Sequence, residues 1–435
     1  MRIVFLAHYF PPLNSTGARR VNAFAKYLAM AGHDVSIITT KKTSKDGVLS
    51  EEVPSYLRMF ELNGFGKLTS SICAPLNQSG YLFQGTNRSL IGVLLLKIKR
   101  KVMKYAGQLV DHRLIFALQF LYPWLDISVK ERLLLADIVV STSPPWPVHL
   151  AGRIIKYRFS KPWIADYRDQ FSGSHIQSGL PLFQKIEFMI DRWLLRAADG
   201  VVTISSPMME YYQRFNQNVC CIENGYDATF FLGRMKELSA DDYGKRSPTQ
   251  PIRIVYMGTI TRDRLPKALF RALTILNSNG IRVVAEFYGD SGSLNTAINE
   301  CEPDAAPYVK ILTQLSYVDA VDTMIKADIL FFIETSDLSS HSSRGVLTTK
   351  LFEYFAARKP IIAEISKRSL AAKYIENSGL GLIISQNASE ISNALKTLIN
   401  NQVKIIPDEI FIDSLSRELK TKELELFCEK LIITS

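Results

Sequence analysis

At 435 residues the chain is too long for one ordinary hydrophobic core, which points to two domains of about 200 residues each. Hydrophobic residues make up 47% of it and mean hydropathy is +0.04, which excludes an intrinsically disordered chain. A net charge of +10 asks for an anionic partner (nucleotide, nucleic acid or acidic membrane surface), and five cysteines without disulfide-framework or zinc spacing point to a reduced, cytosolic setting.

The chain opens on a buried-strand run, Ile3-Val-Phe-Leu-Ala, without the apolar core and cleavage site of a signal peptide. No uncharged run approaches the roughly 20 residues that span a bilayer. The loop Tyr9-Phe-Pro-Pro-Leu-Asn-Ser-Thr-Gly17-Ala-Arg19-Arg20 leads into an amphipathic helix ended by Gly32, and Val35-Ser-Ile-Ile-Thr is the next strand. Strand, glycine-containing loop, helix, strand is the opening of a doubly wound parallel sheet. The GxGxxG fingerprint is missing, which disfavours a dinucleotide dehydrogenase. Gly17 permits close backbone approach to a ligand, and it suits a plain turn equally well.

Between residues 43 and 127 the pattern degrades. Leu94-Leu-Leu-Lys-Ile-Lys-Arg-Lys-Val-Met-Lys is apolar and basic, and an aromatic-rich stretch follows it. Residues 89–125 therefore read either as helices that dip into a membrane surface or as an insertion with a solvated basic face.

Regular alternation resumes at Ala136-Asp-Ile-Val-Val, followed by Ser141-Thr-Ser-Pro-Pro. The strand Trp163-Ile-Ala-Asp166-Tyr-Arg168-Asp169 carries two acids and an arginine at its carboxyl end. Strand ends in open α/β sheets face the ligand crevice, so Asp166, Arg168 and Asp169 are candidates for acceptor or sugar contact, with a structural Asp–Arg pair as the alternative. A helix over 184–198, a strand over 200–205, a helix from Pro207 and the strand-turn Val219-Cys-Cys-Ile-Glu-Asn-Gly-Tyr-Asp227 follow. Residues 228–251 turn polar and charged, the clearest boundary, dividing a first domain of 1–235 from a second of 250–410.

The second half restarts the same grammar. Ile252-Arg-Ile-Val-Tyr-Met is a strand and Gly258-Thr-Ile-Thr-Arg262-Asp-Arg264 its loop, then helix and strand alternate through Asp328-Ile-Leu-Phe-Phe-Ile. Next comes Gly345-Val-Leu-Thr348-Thr349-Lys350-Leu-Phe-Glu353-Tyr-Phe-Ala-Ala-Arg-Lys-Pro360. A threonine there suits an N-cap, and Lys350 and Glu353 share one helical face near the positive helix end. Amides, hydroxyls and a lysine suit a diphosphate, and a carboxylate one turn on suits a ribose; an ordinary solvated helix start is the alternative. Two doubly wound halves place ligand at their strand ends, in a cleft. Arg262, Arg264 and Lys350 then suit a diphosphate leaving group, whose developing charge they stabilise. The closing amphipathic segment, 411–435, finishes the second domain or crosses back to the first.

These stretches resemble the glycosyltransferases of family 4, in their bacterial surface-polysaccharide branch. The matching residues are His8-Tyr-Phe-Pro-Pro with Gly17-Ala-Arg-Arg, Ser141-Thr-Ser-Pro-Pro, Ala165-Asp-Tyr-Arg-Asp, Ile222-Glu-Asn-Gly-Tyr-Asp, Tyr256-Met-Gly-Thr-Ile and Lys350-Leu-Phe-Glu-Tyr-Phe-Ala-Ala-Arg-Lys-Pro. The resemblance implies an α/β GT-B fold: two Rossmann-like domains facing each other across a cleft, the first binding acceptor and the second binding nucleotide sugar. It implies transfer from a nucleotide-diphosphate sugar (UDP favoured over GDP) to a lipid-linked saccharide, with retention of configuration, no cofactor and no metal, at the cytoplasmic face of the inner membrane. In that family the residue matching Glu353 holds the ribose, those matching Arg264 and Lys350 touch the diphosphate, and the loop at Gly17 and Arg19 approaches it from the first domain. Gly258, Arg262, Leu315, Thr348 and Thr349 complete the set expected around the nucleotide, and Asp166, Arg168 and Asp169 lie near sugar and acceptor. Two departures stand out: the family often has a second glutamate eight residues before the ribose glutamate, where this chain has Gly345, and the loop Thr259–Arg264 is shifted relative to the common Gly-Arg…Lys pattern, which leaves the diphosphate contact open between Arg262 and Arg264. A nucleotide-sugar 2-epimerase is the competing enzyme. A nucleic-acid-binding protein is the competing reading of the charge, against which no nucleic-acid motif is present.

Overall fold

The computed structural model describes residues 1–42, 54–62, 109, 111, 113–122, 125–174, 180–240, 250–261, 264–289, 292–334 and 338–434. They form two compact units. The first comprises Met1–Glu223, Ser340–Gly345 and Arg417–Ser435, the second Asn224–Ser339 and Val346–Ser416. Seven helices matter below: α1 (Thr16–Met30), α2 (Pro147–Phe159), α3 (Pro181–Leu195), α4 (Ser206–Tyr212), α5 (His341–Arg344), α6 (Thr349–Ala356) and α7 (Arg417–Thr434).

In the first unit parallel strands run in the order β3-β2-β1-β4-β5-β6-β7. They are β1 (Arg2–Ala7), β2 (Asp34–Thr40), β3 (Arg58–Leu62), β4 (Ile138–Ser143), β5 (Trp163–Tyr167), β6 (Gly200–Thr203) and β7 (Val219–Cys221). A parallel sheet is covered on both faces, which is why β1 reads as an unbroken apolar run. Its alternating side chains enter two cores. Val4 and Leu6 pack with Val139, Val148 and Trp163, while Ile3, Phe5 and Ala7 pack with Val21, Phe24 and Leu28 of α1. Leu424, Phe427, Cys428 and Leu431 of α7 complete the second of these cores, so the last helix belongs to the first unit. Lys420 of α7 is paired with Glu223 at 2.9 Å. The helix expected over 184–198 starts earlier because Pro181 occupies its first turn, where a missing N–H costs nothing.

In the second unit the parallel order is β10-β9-β8-β11-β12-β13. These are β8 (Ile252–Met257), β9 (Val283–Tyr288), β10 (Val309–Leu312), β11 (Ile329–Ile333), β12 (Ile361–Glu364) and β13 (Gly381–Ile384). Here too one strand feeds two cores: Ile254 and Tyr256 pack with Leu269 and Phe270, while Val255 packs with Phe332 and with Leu351 and Phe355 of α6. The polar stretch read as a boundary lies inside this unit. Its first half is the helix Ala228–Ala240, whose Arg234 pairs with Asp322 at 2.5 Å. Its charges mark a solvated helix face, and the division falls earlier, at Glu223 and Asn224.

Strand order reverses between β1 and β4 in the first sheet and between β8 and β11 in the second. Carboxyl ends of strands at such a reversal are where open α/β sheets bind ligands. Of the basic apolar stretch 89–125, residues 89–108, 110, 112, 123 and 124 lie outside the described residues. Within the remainder, Phe116 and Phe120 are packed into the first unit's core.

Candidate functional site

At the reversal point of the second unit, Gly258 follows β8 and Glu334 follows β11. The Glu334 carboxylate, 6% exposed, faces two cations: Arg264 donates from Nη1 to Oε2 at 2.8 Å, and Lys350 Nζ lies 3.7 Å from Oε1. Lys350 also donates to the Tyr256 hydroxyl at 2.8 Å and sits 4.4 Å above that ring. The fold therefore brings Arg264 and Lys350 together, and adds Glu334 and Tyr256, which the sequence reading did not select. Two cations against one carboxylate leave the cluster with surplus positive charge, suited to an anion with several oxygens.

Lys350 lies in the first turn of α6. Thr348 is the N-cap residue of this helix, with the extended backbone that position needs, but its hydroxyl makes no capping hydrogen bond and is buried without a partner. The first-turn N–H groups of α6 thus have no side-chain cap, and no acid stands in that turn to offset the helix's positive end. This corrects the expectation that a threonine hydroxyl closes the helix start. Thr349 is half-buried and Glu353, on the second turn, is buried. Leu315, after β10, packs against the core that holds Leu351 and Phe352. Gly258 has φ +122°, a conformation costly to any residue with a Cβ, and donates its N–H to the Tyr288 carbonyl at 2.8 Å. Arg262 lies outside the described residues. Glu364 closes β12 beside Ile333 and Ile384; it is 1% exposed, and burial pushes its carboxyl up to about 8.

Gly345 is part of the first unit. A Cβ there would stand 2.5 Å from Ser205 Oγ, 3.2 Å from the His341 carbonyl oxygen and 3.4 Å from Met208 Cγ. Packing of α5 against α4 therefore crowds any side chain at this position.

In the first unit Asp166, at the carboxyl end of β5, is 1% exposed. It accepts hydrogen bonds from Arg20 (Nη2 3.0 Å, Nε 3.3 Å) and from Thr142 Oγ1 (2.9 Å). Arg20 also donates to the carbonyls of Ile222 and Glu223, tying α1 to the ends of β5 and β7. Asp166 was expected among the reacting groups. The geometry assigns it instead to a buried ion pair that holds the strand ends in place.

Arg168 donates from Nε and Nη2 to the carbonyls of Ser143 and Pro144, at 3.2 and 2.7 Å. Its guanidinium lies against the start of α1, so that a Cβ on Gly17 would come within 2.1 Å of Nη1. The close approach that Gly17 permits is thus made by this side chain. Desolvation by burial holds the Arg168 pKa below the usual arginine value. Asp169 is exposed beside it, and Arg19 donates to Asn14 Oδ1 at 3.1 Å.

Behind this edge lies a polar network the sequence did not signal. Asp191 of α3, fully buried, accepts from the Tyr167 hydroxyl (2.9 Å), the Ser172 hydroxyl (2.5 Å) and the Ser172 amide (3.3 Å). Burial raises its carboxyl to about 6. His149 is hydrogen-bonded to Ser141 Oγ at 2.8 Å, and burial drives its imidazole down to about 3, so the ring is neutral. Among the described residues no group of three or more His, Cys, Asp or Glu side chains is arranged to hold a metal ion, and no helix is long and apolar enough to cross a membrane.

Residues 15–225 match the family described as glycosyl transferase 4-like domain. No curated protein sequence matches the chain. Among solved structures it is similar over its whole length to sucrose-phosphate synthase from Thermosynechococcus elongatus, with TM-score 0.63, 15% identity, and coverage of 100% of this chain and 99% of that one. Anabaena HepE in complex with UDP gives TM-score 0.62 at 12% identity, covering 99% and 100%. WaaG, a glycosyltransferase involved in lipopolysaccharide biosynthesis, gives 0.53 at 13% identity, covering 99% and 98%. These likenesses establish the two-sheet GT-B architecture.

Proposed function

From the premise that the chain is a glycosyltransferase of the GT-B fold whose first unit carries a glycosyl transferase 4-like domain, we propose that it transfers a sugar from a nucleoside-diphosphate sugar to a lipid-linked saccharide in bacterial surface-polysaccharide synthesis. UDP is favoured over GDP, a preference supported by the complex of HepE with UDP. Anomeric configuration is retained and no resident metal is needed. The enzyme works as a peripheral protein at the cytoplasmic face of the inner membrane; a structural neighbour involved in lipopolysaccharide biosynthesis supports the pathway.

The observation that carries the donor half is the convergence of Arg264 and Lys350 beside the start of α6, which lacks a side-chain cap. As the bond between C1 and the phosphate oxygen breaks, both electrons leave on the diphosphate. The two cations and the first-turn amides of α6 stabilise that charge where it develops. Glu353 accepts from the ribose hydroxyls. In the first unit Arg168 and Asp169 contact sugar or acceptor, with Asp166 and Arg20 holding the edge that presents them. The acceptor hydroxyl adds its oxygen to C1 and gives its proton to the departing phosphate oxygen.

The test is a thermal-shift panel of UDP, GDP, ADP and CMP, because a ligand that binds only the native state raises Tm by mass action. We expect UDP to give the largest shift and Glu353→Ala to lose most of it, with the variant still melting cooperatively without ligand. A wild-type protein indifferent to all four nucleotides overturns the reading.

A further inference from the structure

On α3 the charges are sorted by face. Its two carboxylates, Glu187 and Asp191, are buried, whereas Lys185 and Arg192, with Arg196 just after the helix, are exposed. Between these cations the same outer face carries Leu182, Met189 and Trp193, exposed at 66%, 68% and 48%, with Phe188 beside them. Positions 182, 185, 189, 192, 193 and 196 follow helical spacing, so apolar and cationic side chains alternate along one stripe. Helix α2 extends it: Arg153 lies 3.7 Å above the Trp193 ring and 4.8 Å above the Tyr157 ring, and Tyr157 is 65% exposed.

We propose that this face of α3, with Tyr157 and Arg153 of α2, docks the protein onto an anionic phospholipid bilayer, the helix lying in the plane of the interface. The 15-residue helix, about 22 Å long, is too short to span but of a length to lie flat. Leu182, Phe188 and Met189 enter the acyl boundary. Trp193 and Tyr157 sit at headgroup depth, and the long basic side chains reach outward to lipid phosphates. A protein partner would need separate carboxylates spaced to meet each cation along the stripe. A bilayer of acidic lipids presents negative charge continuously and fits any such spacing. The inference deepens the membrane setting proposed above and assigns it to side chains of α3 and α2 rather than to the basic run 94–104.

The experiment is co-sedimentation of the full chain with vesicles of phosphatidylglycerol and phosphatidylcholine, against phosphatidylcholine alone. Neutralising three cations in Lys185→Gln/Arg192→Gln/Arg196→Gln is expected to weaken binding about a hundredfold, at about 1 kcal/mol for each basic residue. Leu182→Ser/Met189→Ser is expected to lose binding to both vesicle types. Trp193→Phe keeps binding but loses a vesicle-induced blue shift of tryptophan emission. In each variant an unchanged UDP thermal shift shows that the fold is intact. Variants of α3 that bind like wild type, while neutralising Lys97, Lys99, Arg100, Lys101 and Lys104 releases the protein, overturn this inference and leave the membrane setting standing. A wild-type chain that ignores anionic vesicles, or that buries this face only by self-association, overturns both.

Discussion

Glu334 sits where a bound diphosphate would compete for the same two cations, so Glu334→Gln is expected to tighten binding of UDP. In the free protein the carboxylate stands 2.8 Å from Arg264 Nη1 and 3.7 Å from Lys350 Nζ. A phosphate oxygen held by those two cations lies roughly 6 Å from the carboxylate, where two like unit charges repel by about 3 kcal/mol at an effective dielectric of about 20. Arg264 is partly exposed, and solvent around it lowers the net effect to about 1–2 kcal/mol, or about tenfold in affinity. Isothermal titration with UDP reads the change. Inorganic pyrophosphate, which carries the diphosphate without a base, shows whether it belongs to the cation cluster. If release of the nucleotide limits turnover, kcat falls in the variant while the donor KM also falls. Weaker binding of both ligands would refute the reasoning, because it would mean that the carboxylate chiefly orients the cations.

Three further changes test the neighbouring geometry. Gly17→Ala must displace the Arg168 guanidinium from the Ser143 and Pro144 carbonyls, so about 1–3 kcal/mol of stability is expected to be lost while acceptor KM rises; thermal melts and acceptor kinetics check it. Gly345→Glu places a side chain against Ser205 and the His341 carbonyl and is expected to lose about 1–3 kcal/mol in urea unfolding without any gain in turnover. For Glu364→Gln the gain in stability over wild type should be larger at pH 9 than at pH 5. Between about pH 4.5 and pH 8 the unfolded chain releases a proton that the folded chain keeps, so the wild type alone loses stability across that window and levels off above it. A gain equal at both values would show that the carboxyl titrates normally.

Much of the architecture was legible because both-faced burial in a parallel sheet writes itself as runs such as Ile3-Val-Phe-Leu-Ala and Ile329-Leu-Phe-Phe-Ile. Lys350 and Arg264 were legible as cations on loops and helix starts. What stayed hidden depends on which strands become neighbours. Glu334 looks like any acid after a strand until β8 and β11 pair at the point where strand order reverses. The contact between Gly17 and Arg168 joins residues 151 positions apart in sequence, and no local pattern announces it. The stretch 228–251 read as a boundary begins with the helix Ala228–Ala240, its residues 241–249 lie outside the described ones, and the two units divide between Glu223 and Asn224. Asp166 shows the same limit from the other side, since only the fold reveals that Arg20, rather than a ligand, meets it.

Asp191 connects the outer and inner faces of α3. Its outward neighbours form the basic apolar stripe, while its own carboxylate holds Tyr167 at the end of β5 and Ser172 in the loop that carries Arg168 and Asp169. Burial places this carboxyl near 6 in the folded state, above the ordinary aspartate value of about 3.9. Below about pH 4 folded and unfolded chains both hold the proton. Between there and pH 6 the unfolded chain releases it while the folded chain keeps it, so stability falls as pH rises, by up to about 3 kcal/mol, and then levels off. Asn in its place accepts from Tyr167 but cannot accept from the Ser172 amide, a loss of about 1 kcal/mol at every pH. Asp191→Asn is therefore expected to be less stable than wild type at pH 4 and more stable at pH 8, a crossover measurable by urea unfolding. A difference that stays constant across this range would show that Asp191 is ionised throughout. Its hold on the Ser172 loop would then be that of a charged carboxylate.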